Sequence, residues 1–375
     1  MHPCDLAPAY VRAIAPYQPG KPISELAREM GLREADIVKL ASNENPLGVS
    51  PLARAAMAAA LDQMALYPDG NGYELKVAIA ARLGIDTAGI VLGNGSNDVL
   101  ELVARAFLAP GTSAVYSRHA FAVYPLVTQA TGATGIEAAA LDFGHDLAAM
   151  RAAMRDDTRV VFIANPNNPT GTLLTAEALH AFLKSVPRQM VVVLDEAYGE
   201  FLDPALQAPS VAWLAEFPNL ILTRTFSKAY GLAGLRVGYA LADAAVADLL
   251  NRVRQPFNVN SLALLAATAA IQDLEFIAAS KRVNDAGMQQ MLRGFQDLGL
   301  SYIPSFGNFV CVKVGSEQRS AGAVFQALLR RGVIVRPVGN YGMPDYLRVS
   351  IGLAEHNARF LSRLGDILSD SPGQA

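Results

Sequence analysis

A lysine lies in a segment whose neighbours are suited to binding a phosphate group. Residues 223–238 contain Thr225, Ser227, Lys228, three glycines and, near the end, Arg236. Hydroxyl groups donate single hydrogen bonds to a phosphate, and a guanidinium offers a charged fork. A lysine held beside such a site, and desolvated enough to be partly neutral, can form a Schiff base with an aldehyde cofactor. On this segment alone, an ordinary loop lysine near a helix start explains the residues equally well.

Two further polar segments follow predicted strands. Residues 93–98 (Gly-Asn-Gly-Ser-Asn-Asp) connect a short apolar strand to a helix, and the free N–H groups and dipole of such a helix start attract anions. The dinucleotide-binding pattern GxGxxG is not met, because Asp98 stands in the place of the third glycine. Residues 165–171 (Asn-Pro-Asn-Asn-Pro-Thr-Gly) form a loop that its prolines make rigid, so that its amide side chains can be oriented.

An apolar strand at 190–194 ends in Asp195 and Glu196, an arrangement also found in the magnesium-binding strand of nucleotide hydrolases. That interpretation fails because the sequence contains no GxxxxGK[ST] motif. The only Gly-Lys pair, at residues 20 and 21, is followed by a proline near the N-terminus. What remains is an aspartate, Tyr198 three positions later, the rigid asparagine loop and the lysine segment.

The elements that must position these residues alternate between strand and helix. Continuous apolar runs predict strands near 90–92, 114–116, 136–140, 160–164, 190–194 and 219–222, with helices between them. This pattern predicts an α/β fold with a mainly parallel sheet covered by helices on both faces. Ligands of such sheets bind at the carboxyl ends of the strands, which is where the polar segments lie.

After residue 241 the pattern changes. A helix is predicted at 243–252 and a long helical stretch at 261–274, with a possible continuation to 298. Strands at 309–314, 333–336 and 346–351, with helices at 321–331 and 355–368, then predict a compact α+β unit. We therefore expect an N-terminal arm at 1–35, a large cofactor-binding domain at 36–256 and a smaller α+β domain at 257–375.

Composition excludes several classes of function. Hydrophobic residues make up 52% of the chain and charged ones 17%, which is typical of a well-packed globular enzyme. The net charge of -3, without a basic cluster, argues against nucleic acid or an anionic membrane as a partner. The longest weakly polar run, 258–272, is too short to span a bilayer, and the N-terminus lacks a signal pattern.

The cysteines and histidines predict neither a disulfide framework nor a metal site. Cys4 and Cys311 are far apart in sequence, which favours a reducing compartment. The histidines show no paired ligand spacing, so no metal is expected. We expect a cytoplasmic protein. The histidines are His2, His119, His145, His180 and His356.

Taken in order, the polar segments resemble a known family. The loop at 165–171, Asp195 to Tyr198, residues 225–228 (Thr-Phe-Ser-Lys) and the following Arg236 look like the pyridoxal-phosphate-dependent aminotransferases of fold type I. Residues 16–21 (Pro-Tyr-Gln-Pro-Gly-Lys) and 40–46 (Leu-Ala-Ser-Asn-Glu-Asn-Pro) narrow the resemblance to the branch that acts in histidine biosynthesis. The match runs nearly end to end, and several motifs in order are far more specific than any one of them.

The resemblance implies a role for each motif residue toward pyridoxal 5'-phosphate. Lys228 would hold the cofactor as a Schiff base and, once displaced by the substrate amine, would shuttle the proton at the substrate alpha carbon. Asp195 would face the pyridine nitrogen and keep it protonated. The ring hydroxyl would be bound by Asn168 and Tyr198, and the phosphate would lie among Gly95, Ser96, Asn97, Thr225, Ser227 and Arg236.

Other positions are implied by the resemblance with alternatives left open. Phe121 would stack on the cofactor ring, although a core phenylalanine explains it too. Tyr67 would reach across a homodimer to the phosphate of the neighbour's cofactor and is also a candidate for binding the substrate, while Arg348 would grip the substrate anion. Arg336 and Tyr17 are weaker substrate candidates that could equally be solvated surface residues. Asn43, within the 40–46 motif, is also assigned to the substrate.

The activity implied is a two-stage, ping-pong exchange of an amino group between glutamate and imidazole acetol phosphate, which yields histidinol phosphate. Aromatic amino acids are an alternative substrate class, because a flat ring with a carboxylate fits the same groups. A decarboxylase acting on an amino acid phosphate would share every cofactor residue. A regulator that only senses amines would need a DNA-binding module, and no basic helix-turn-helix pattern precedes residue 38.

Overall fold

The computed structural model describes residues 2–18 and 20–370, so Pro19 of the N-terminal motif, Met1 and residues 371–375 lie outside the described residues. The strands, in chain order, are β1 Val38–Lys39, β2 Ile90–Gly93, β3 Ser113–Ser117, β4 Thr134–Ala138, β5 Ala140–Leu141, β6 Gly144–His145, β7 Thr158–Ala164, β8 Val191–Asp195, β9 Leu220–Thr225, β10 Gly238–Leu241, β11 Tyr302–Ile303, β12 Phe309–Lys313, β13 Val333–Ile334, β14 Arg336–Pro337 and β15 Tyr346–Ser350.

α-Helices surround these strands. Half of those named below begin where a short polar side chain accepts a hydrogen bond from the first turn, as Ser50 does for the helix that starts at Pro51. They are α1 Ala9–Arg12, α2 Ile23–Met30, α3 Pro51–Ala60, α4 Tyr73–Leu83, α5 Ser96–Phe107, α6 Val123–Ala130, α7 Leu147–Ala152, α8 Ala176–Ser185, α9 Ser210–Trp213, α10 Ala244–Val253, α11 Ser261–Ala270, α12 Leu274–Asp297, α13 Ala321–Arg330 and α14 Ala354–Ser369.

A seven-stranded sheet in the order β2-β10-β9-β8-β7-β3-β4 forms the centre of the larger unit. Its strands are parallel except β10, which runs antiparallel to both of its neighbours. Alternate residues of β8 contribute to different hydrophobic cores: Val192 and Leu194 to one, Val191 and Val193 to the other. Because both faces are buried, these strands read as unbroken apolar runs, and the predicted mainly parallel α/β fold is confirmed.

Strand β10 was not predicted from the sequence. Only four residues long, it follows the lysine segment directly and pairs with β9 from Gly238↔Thr225 to Leu241↔Leu222. The chain therefore leaves β9, forms the lysine segment as a loop and returns alongside the same strand. Because β9 and β10 pair with each other, both ends of the loop that carries Lys228 are fixed in the sheet.

The smaller unit is built on an antiparallel sheet in the order β11-β12-β15-β14, with β13 paired to β1. Its core contains Val38 and Leu40, whereas Ala263 and Ile271 pack in the core of the large sheet. The packing thus departs from the expected boundaries at 36 and 257. We propose that the N-terminal segment around β1 belongs to the smaller unit, and that the second boundary follows α11.

The helical stretch predicted from 261 toward 298 is broken. Helices α11 and α12 meet at 81°, and Asp273 between them accepts a hydrogen bond from Phe276 N at the start of α12. Within the described residues, no single helix is long and apolar enough to cross a membrane. Helices α11 and α12 meet these two criteria only when they are taken together as a bent pair.

Candidate active site

A cavity of about 250 Å³ lies where the carboxyl ends of β7, β8 and β9 meet the first turn of α5. Strand ends of a parallel sheet and a helix N-terminus converge there, as expected for a ligand site of this fold class. Most of the residues singled out in the sequence line it. These are Tyr17, Asn43, Ser96, Asn97, Phe121, Asn168, Asp195, Tyr198, Thr225, Ser227, Lys228, Arg236, Arg336 and Arg348.

Lys228 is largely enclosed, and its Nζ donates a hydrogen bond of 3.3 Å to the carbonyl oxygen of Ser42. Burial, together with the positive charges of Arg348 and Arg236, lowers the pKa of Lys228 to about 8. A substantial fraction of this amine is therefore neutral near physiological pH, and a neutral amine is the form that attacks an aldehyde.

Asp195, at the end of β8, is buried with one oxygen satisfied and one free. Its Oδ2 accepts a hydrogen bond of 2.9 Å from the hydroxyl of Tyr124. Its Oδ1 has no hydrogen-bond partner among the described residues. Burial raises the pKa of Asp195, while the Tyr124 hydrogen bond opposes the rise. An orphaned carboxylate oxygen at a cavity wall suits a protonated ring nitrogen, which would donate to it and stabilise its charge.

Tyr124 is a site residue that the sequence did not reveal. It lies in α6, one turn after Phe121, and its ring stacks on Phe162 at 4.8 Å and meets Phe121 edge-on at 5.8 Å. A tyrosine in an apolar helix resembles an ordinary core residue, so the type alone gave no signal.

The hydroxyl group of Tyr198 is positioned by Asn43. The amide of Asn43 donates to the Tyr198 hydroxyl at 3.0 Å, and its Oδ1 accepts a hydrogen bond of 2.9 Å from Ser350 in β15. Asn43 adopts a left-handed conformation (φ 54°), which asparagine tolerates better than most residues. Burial raises the pKa of Tyr198 to about 12, so the phenol remains protonated. Asn43, expected at the substrate, therefore also positions a tyrosine.

Arg348 joins three parts of the chain. Its Nη1 donates to Asn168 Oδ1 at 2.6 Å and its Nη2 to the carbonyl oxygen of Ala41 at 2.7 Å. Its Nε has no partner among the described residues. With its oxygen occupied by Arg348, the Asn168 amide keeps both N–H donors available, and the guanidinium keeps a free donor for an anion.

An anion cradle lies at the start of α5. Gly95 has φ 81°, and a Cβ on it would approach Arg236 Nη2 to 2.4 Å, so only glycine lets the guanidinium lie against this turn. Arg236 also donates to Ser227 Oγ at 3.4 Å. Gly95 thus acts through its backbone, next to the cavity rather than lining it. Guanidinium, hydroxyl and helix N–H groups together fit a phosphate.

The N-terminal arm covers the rim of the cavity next to Arg336. Arg336 donates to the carbonyl oxygen of Gln18 at 2.6 Å, and its guanidinium lies 5.4 Å from the ring centroid of Tyr17. Arg336 is buried while Tyr17 is half exposed, so the solvated alternative does not hold for the arginine. Arg336 and Tyr17 therefore line the same cavity as Lys228.

Tyr67 is the predicted residue that the chain does not bring to this cavity. Its side chain is 83% exposed and stacks on Phe257 with ring centroids 4.9 Å apart. It borders a separate, largely apolar groove. No cluster of three or more histidine, cysteine, aspartate or glutamate side chains with the geometry of a metal site occurs in the part of the chain that the structure describes.

Comparison with known proteins places the chain in a family. Residues 35–364 match the model for aminotransferase class I and II. The chain is 65% identical over 368 residues to histidinol-phosphate aminotransferase 1 of Thiobacillus denitrificans, covering 98% of this chain and 95% of that one. It is 63% identical over 364 residues to histidinol-phosphate aminotransferase of Methylobacillus flagellatus, covering 97% of this chain and 98% of that one.

Solved structures share the fold. The crystal structure of histidinol-phosphate aminotransferase from Sinorhizobium meliloti in complex with pyridoxal-5'-phosphate superposes with a TM-score of 0.88 at 27% identity, covering 97% of each chain. Aspartate aminotransferase from Thermus thermophilus with maleate gives a TM-score of 0.82 at 21% identity, covering 96% of this chain and 99% of that one. The second similarity concerns the fold alone.

Proposed function

The chain belongs to the class I and II aminotransferase family, among its histidinol-phosphate aminotransferases, and on that premise we propose that it transfers an amino group from glutamate to imidazole acetol phosphate, forming histidinol phosphate. The observation that carries the proposal is that Lys228 shares one cavity with two groups of anion-binding side chains. One group is Arg236 at the cradle next to Gly95, and the other is Arg336 and Arg348.

The residues fit pyridoxal 5'-phosphate. When bound, this cofactor supplies an aldehyde for the amine and a ring that accepts electrons from the substrate alpha carbon. The free Oδ1 of Asp195 would accept a hydrogen bond from the ring nitrogen, and Phe121, which lines the same cavity, would cover the ring. Asn168 and Tyr198 would bind the ring hydroxyl, and the phosphate would be held by Ser96, Asn97, Thr225, Ser227 and Arg236.

Lys228 has two tasks in this proposal. It would hold the cofactor covalently, and once released by the substrate amine, its neutral Nζ would accept the proton from the substrate alpha carbon and give it back. The lowered pKa of about 8 suits both tasks, because the amine is a base that regains its proton near neutral pH.

The pH dependence of cofactor attachment tests this tuning. Only neutral Lys228 reacts, and its pKa of about 8 lies below the ordinary value of 10.5. Mixing apoprotein with pyridoxal phosphate should therefore show a rate that rises with pH up to about 8 and then levels off, followed by absorbance in a stopped-flow instrument. In Arg348→Gln, which removes a nearby positive charge, the midpoint should move upward. A wild-type rate that keeps rising to about pH 10 would contradict the assignment.

The substrate side offers two guanidinium groups for two kinds of anion. In this proposal Arg348, which has a free Nε, binds the carboxylate of glutamate, and Arg336 together with Tyr17 binds the phosphate of the second substrate. An aromatic amino acid presents a carboxylate and a flat ring but no phosphate, so it engages only part of this set. A preference for histidinol phosphate over phenylalanine and tyrosine follows from the unpaired donors that the aromatic substrates leave.

Specificity constants are the direct test of this preference. We expect kcat/KM of the purified protein to be highest for histidinol phosphate, with lesser values for phenylalanine and tyrosine. A higher value for either aromatic amino acid would overturn the substrate and leave the aminotransferase chemistry intact. A separate half-reaction distinguishes a decarboxylase, because glutamate alone converts the cofactor to its amine form only in a transaminase.

We further infer a homodimer in which Tyr67 serves the partner's site. Tyr67, exposed and remote from its own cavity, stands among other exposed apolar side chains, which is unusual for a surface that faces only water. A partner copy would bury them. These neighbours are Met64, Leu66 and Leu265, which line the same groove, and Phe257, which stacks on Tyr67; they are 38%, 72%, 41% and 46% exposed.

Subunit complementation tests the sharing of Tyr67. In a mixture of Tyr67→Phe and Lys228→Ala parents, exchange creates hybrid dimers in which one site has both native residues. We expect activity to rise above that of either parent, measured with histidinol phosphate after exchange. A Tyr10→Phe parent, changed at a tyrosine on the N-terminal arm, is the control partner. Exchange without recovery would mean that Tyr67 acts within its own subunit.

We also propose a cytoplasmic location, which the unpaired Cys4 and Cys311 favour.

A further inference from the structure

Glu196 and Arg224 form an ion pair on the side of the sheet away from the proposed cofactor cavity. The proposed chemistry does not use this pair. Arg224 Nε and Nη2 both donate to Glu196 Oε2, at 3.0 and 2.8 Å. The side chain of Arg224 is only 20% exposed and that of Glu196 only 11%, so solvent screens the ion pair weakly. They border a second cavity of about 320 Å³.

The pair connects the two strands that carry the reactive groups. Glu196 directly follows Asp195 at the end of β8, and Arg224 directly precedes Thr225 at the end of β9. The strands are paired in register at Asp195↔Thr223, and Glu196 N donates to the carbonyl oxygen of Thr223 at 2.9 Å. Because neighbouring side chains of a strand point to opposite faces, Asp195 faces Tyr124 and the cofactor cavity while Glu196 faces away.

The charge of Glu196 matters to its neighbour. Asp195 must be ionised to hold a protonated ring nitrogen, yet burial raises its pKa and the adjacent Glu196 carboxylate raises it further. Arg224 supplies a compensating positive charge at hydrogen-bond distance from Glu196. The titratable groups that act electrostatically on Asp195 are Tyr124, Tyr198 and Lys228 on the cavity side of the sheet and Glu196 on the other side.

We propose that Glu196 and Arg224 are a positioning pair for Asp195: they tie the ends of β8 and β9 together and cancel the Glu196 charge, so that Asp195 stays ionised toward the cofactor ring. The proposal rests on the proposed cofactor chemistry. It assigns no contact with cofactor or substrate to either residue.

Glu200 offers a matched control in the same cavity. It is half-buried, and burial raises its pKa to about 7, with Arg224 acting in the opposite direction. Below that pH it is largely neutral, and Arg224 then has Glu196 as its charged partner. The other ionisable side chains around this cavity are Arg82, Tyr230 and Tyr239.

The experiment measures binding of pyridoxamine 5'-phosphate to apoprotein from about pH 5 to about pH 8 by fluorescence. This probe has the cofactor ring but no aldehyde, so Lys228 does not react with it. Affinity should fall at low pH, where Asp195 becomes protonated, and we call this fall the acid limb. In Arg224→Gln, which leaves the charge of Glu196 uncompensated, we expect the acid limb to move to higher pH by about half to one unit, which corresponds to about three- to tenfold weaker binding at a given pH on that limb. Glu196→Gln should move it down, and the double variant should return it near the wild-type position.

The outcomes separate the two levels of the proposal. A purely structural pair would weaken binding at every pH in both single variants and the double variant, with no movement of the limb, and would overturn the inference. If Arg224→Gln does not fold, judged by thermal unfolding, the downward shift in Glu196→Gln decides alone. Glu200→Gln should leave the acid limb unchanged, and a shift as large as that of Arg224→Gln would refute the assignment to Glu196. Wild-type apoprotein that fails to bind the probe would refute the proposed function instead.

Discussion

Replacing Lys228 by alanine is expected to abolish turnover while leaving the cofactor bound. The covalent anchor and the proton carrier are lost together, and no other lysine lines the cavity among the described residues. The cradle formed by Gly95, Ser227 and Arg236 is untouched and should retain the phosphate. We expect multiple-turnover activity with histidinol phosphate to fall to a trace, and cofactor absorbance to remain with the protein after gel filtration.

A matched variant separates charge loss from loss of chemistry. Lys184→Ala removes a lysine whose side chain is 59% exposed on α8, where it lies 3.8 Å from Glu216, and should keep wild-type turnover. More than trace turnover in Lys228→Ala would refute its assignment. If the cofactor were lost as well, the covalent bond rather than the cradle would have to provide most of the binding.

Asp195→Asn is expected to cost about 3 to 5 kcal/mol of transition-state stabilisation, which corresponds to a fall in kcat/KM of roughly 10²- to 10⁴-fold. The amide keeps the shape and a hydrogen bond from Tyr124, but it no longer provides the negative charge that keeps the ring nitrogen protonated. Steady-state kinetics on the loaded protein measures the effect. Asp248→Asn, at an exposed aspartate in α10, is the control and should change little. A nearly wild-type rate in Asp195→Asn would mean that this carboxylate does not face the ring.

The reactive residues could be found in the sequence because their motifs are local. Asp195 ends an unbroken apolar strand and Lys228 follows the next one, so the rule that parallel strands end at one edge was sufficient to bring them together. The same reasoning predicted the sheet. It missed β10, because four apolar residues after a glycine-rich loop do not distinguish a strand from the rest of that loop.

Contacts set by tertiary packing were beyond sequence reasoning. Tyr124 approaches Asp195 only because α6 packs against the face of the sheet that carries it. The break between α11 and α12 was missed because Ile271 and Gln272 look helical, while the cap at Asp273 shows only in its bond to Phe276. The place of Asn43 depends on Ser350, which lies at the other end of the chain.

That last contact has a consequence for how the protein is made. Asn43 and Ser350 are 307 residues apart, and β1 finds its partner β13 only near the end of the chain. During synthesis, the N-terminal segment therefore leaves the ribosome long before the strands that hold it exist. The large sheet can form first, but Tyr198 gains its Asn43 partner only when the final strands arrive. A ribosome-bound chain that ends before β15 should consequently contain most of the sheet and lack a finished catalytic cavity.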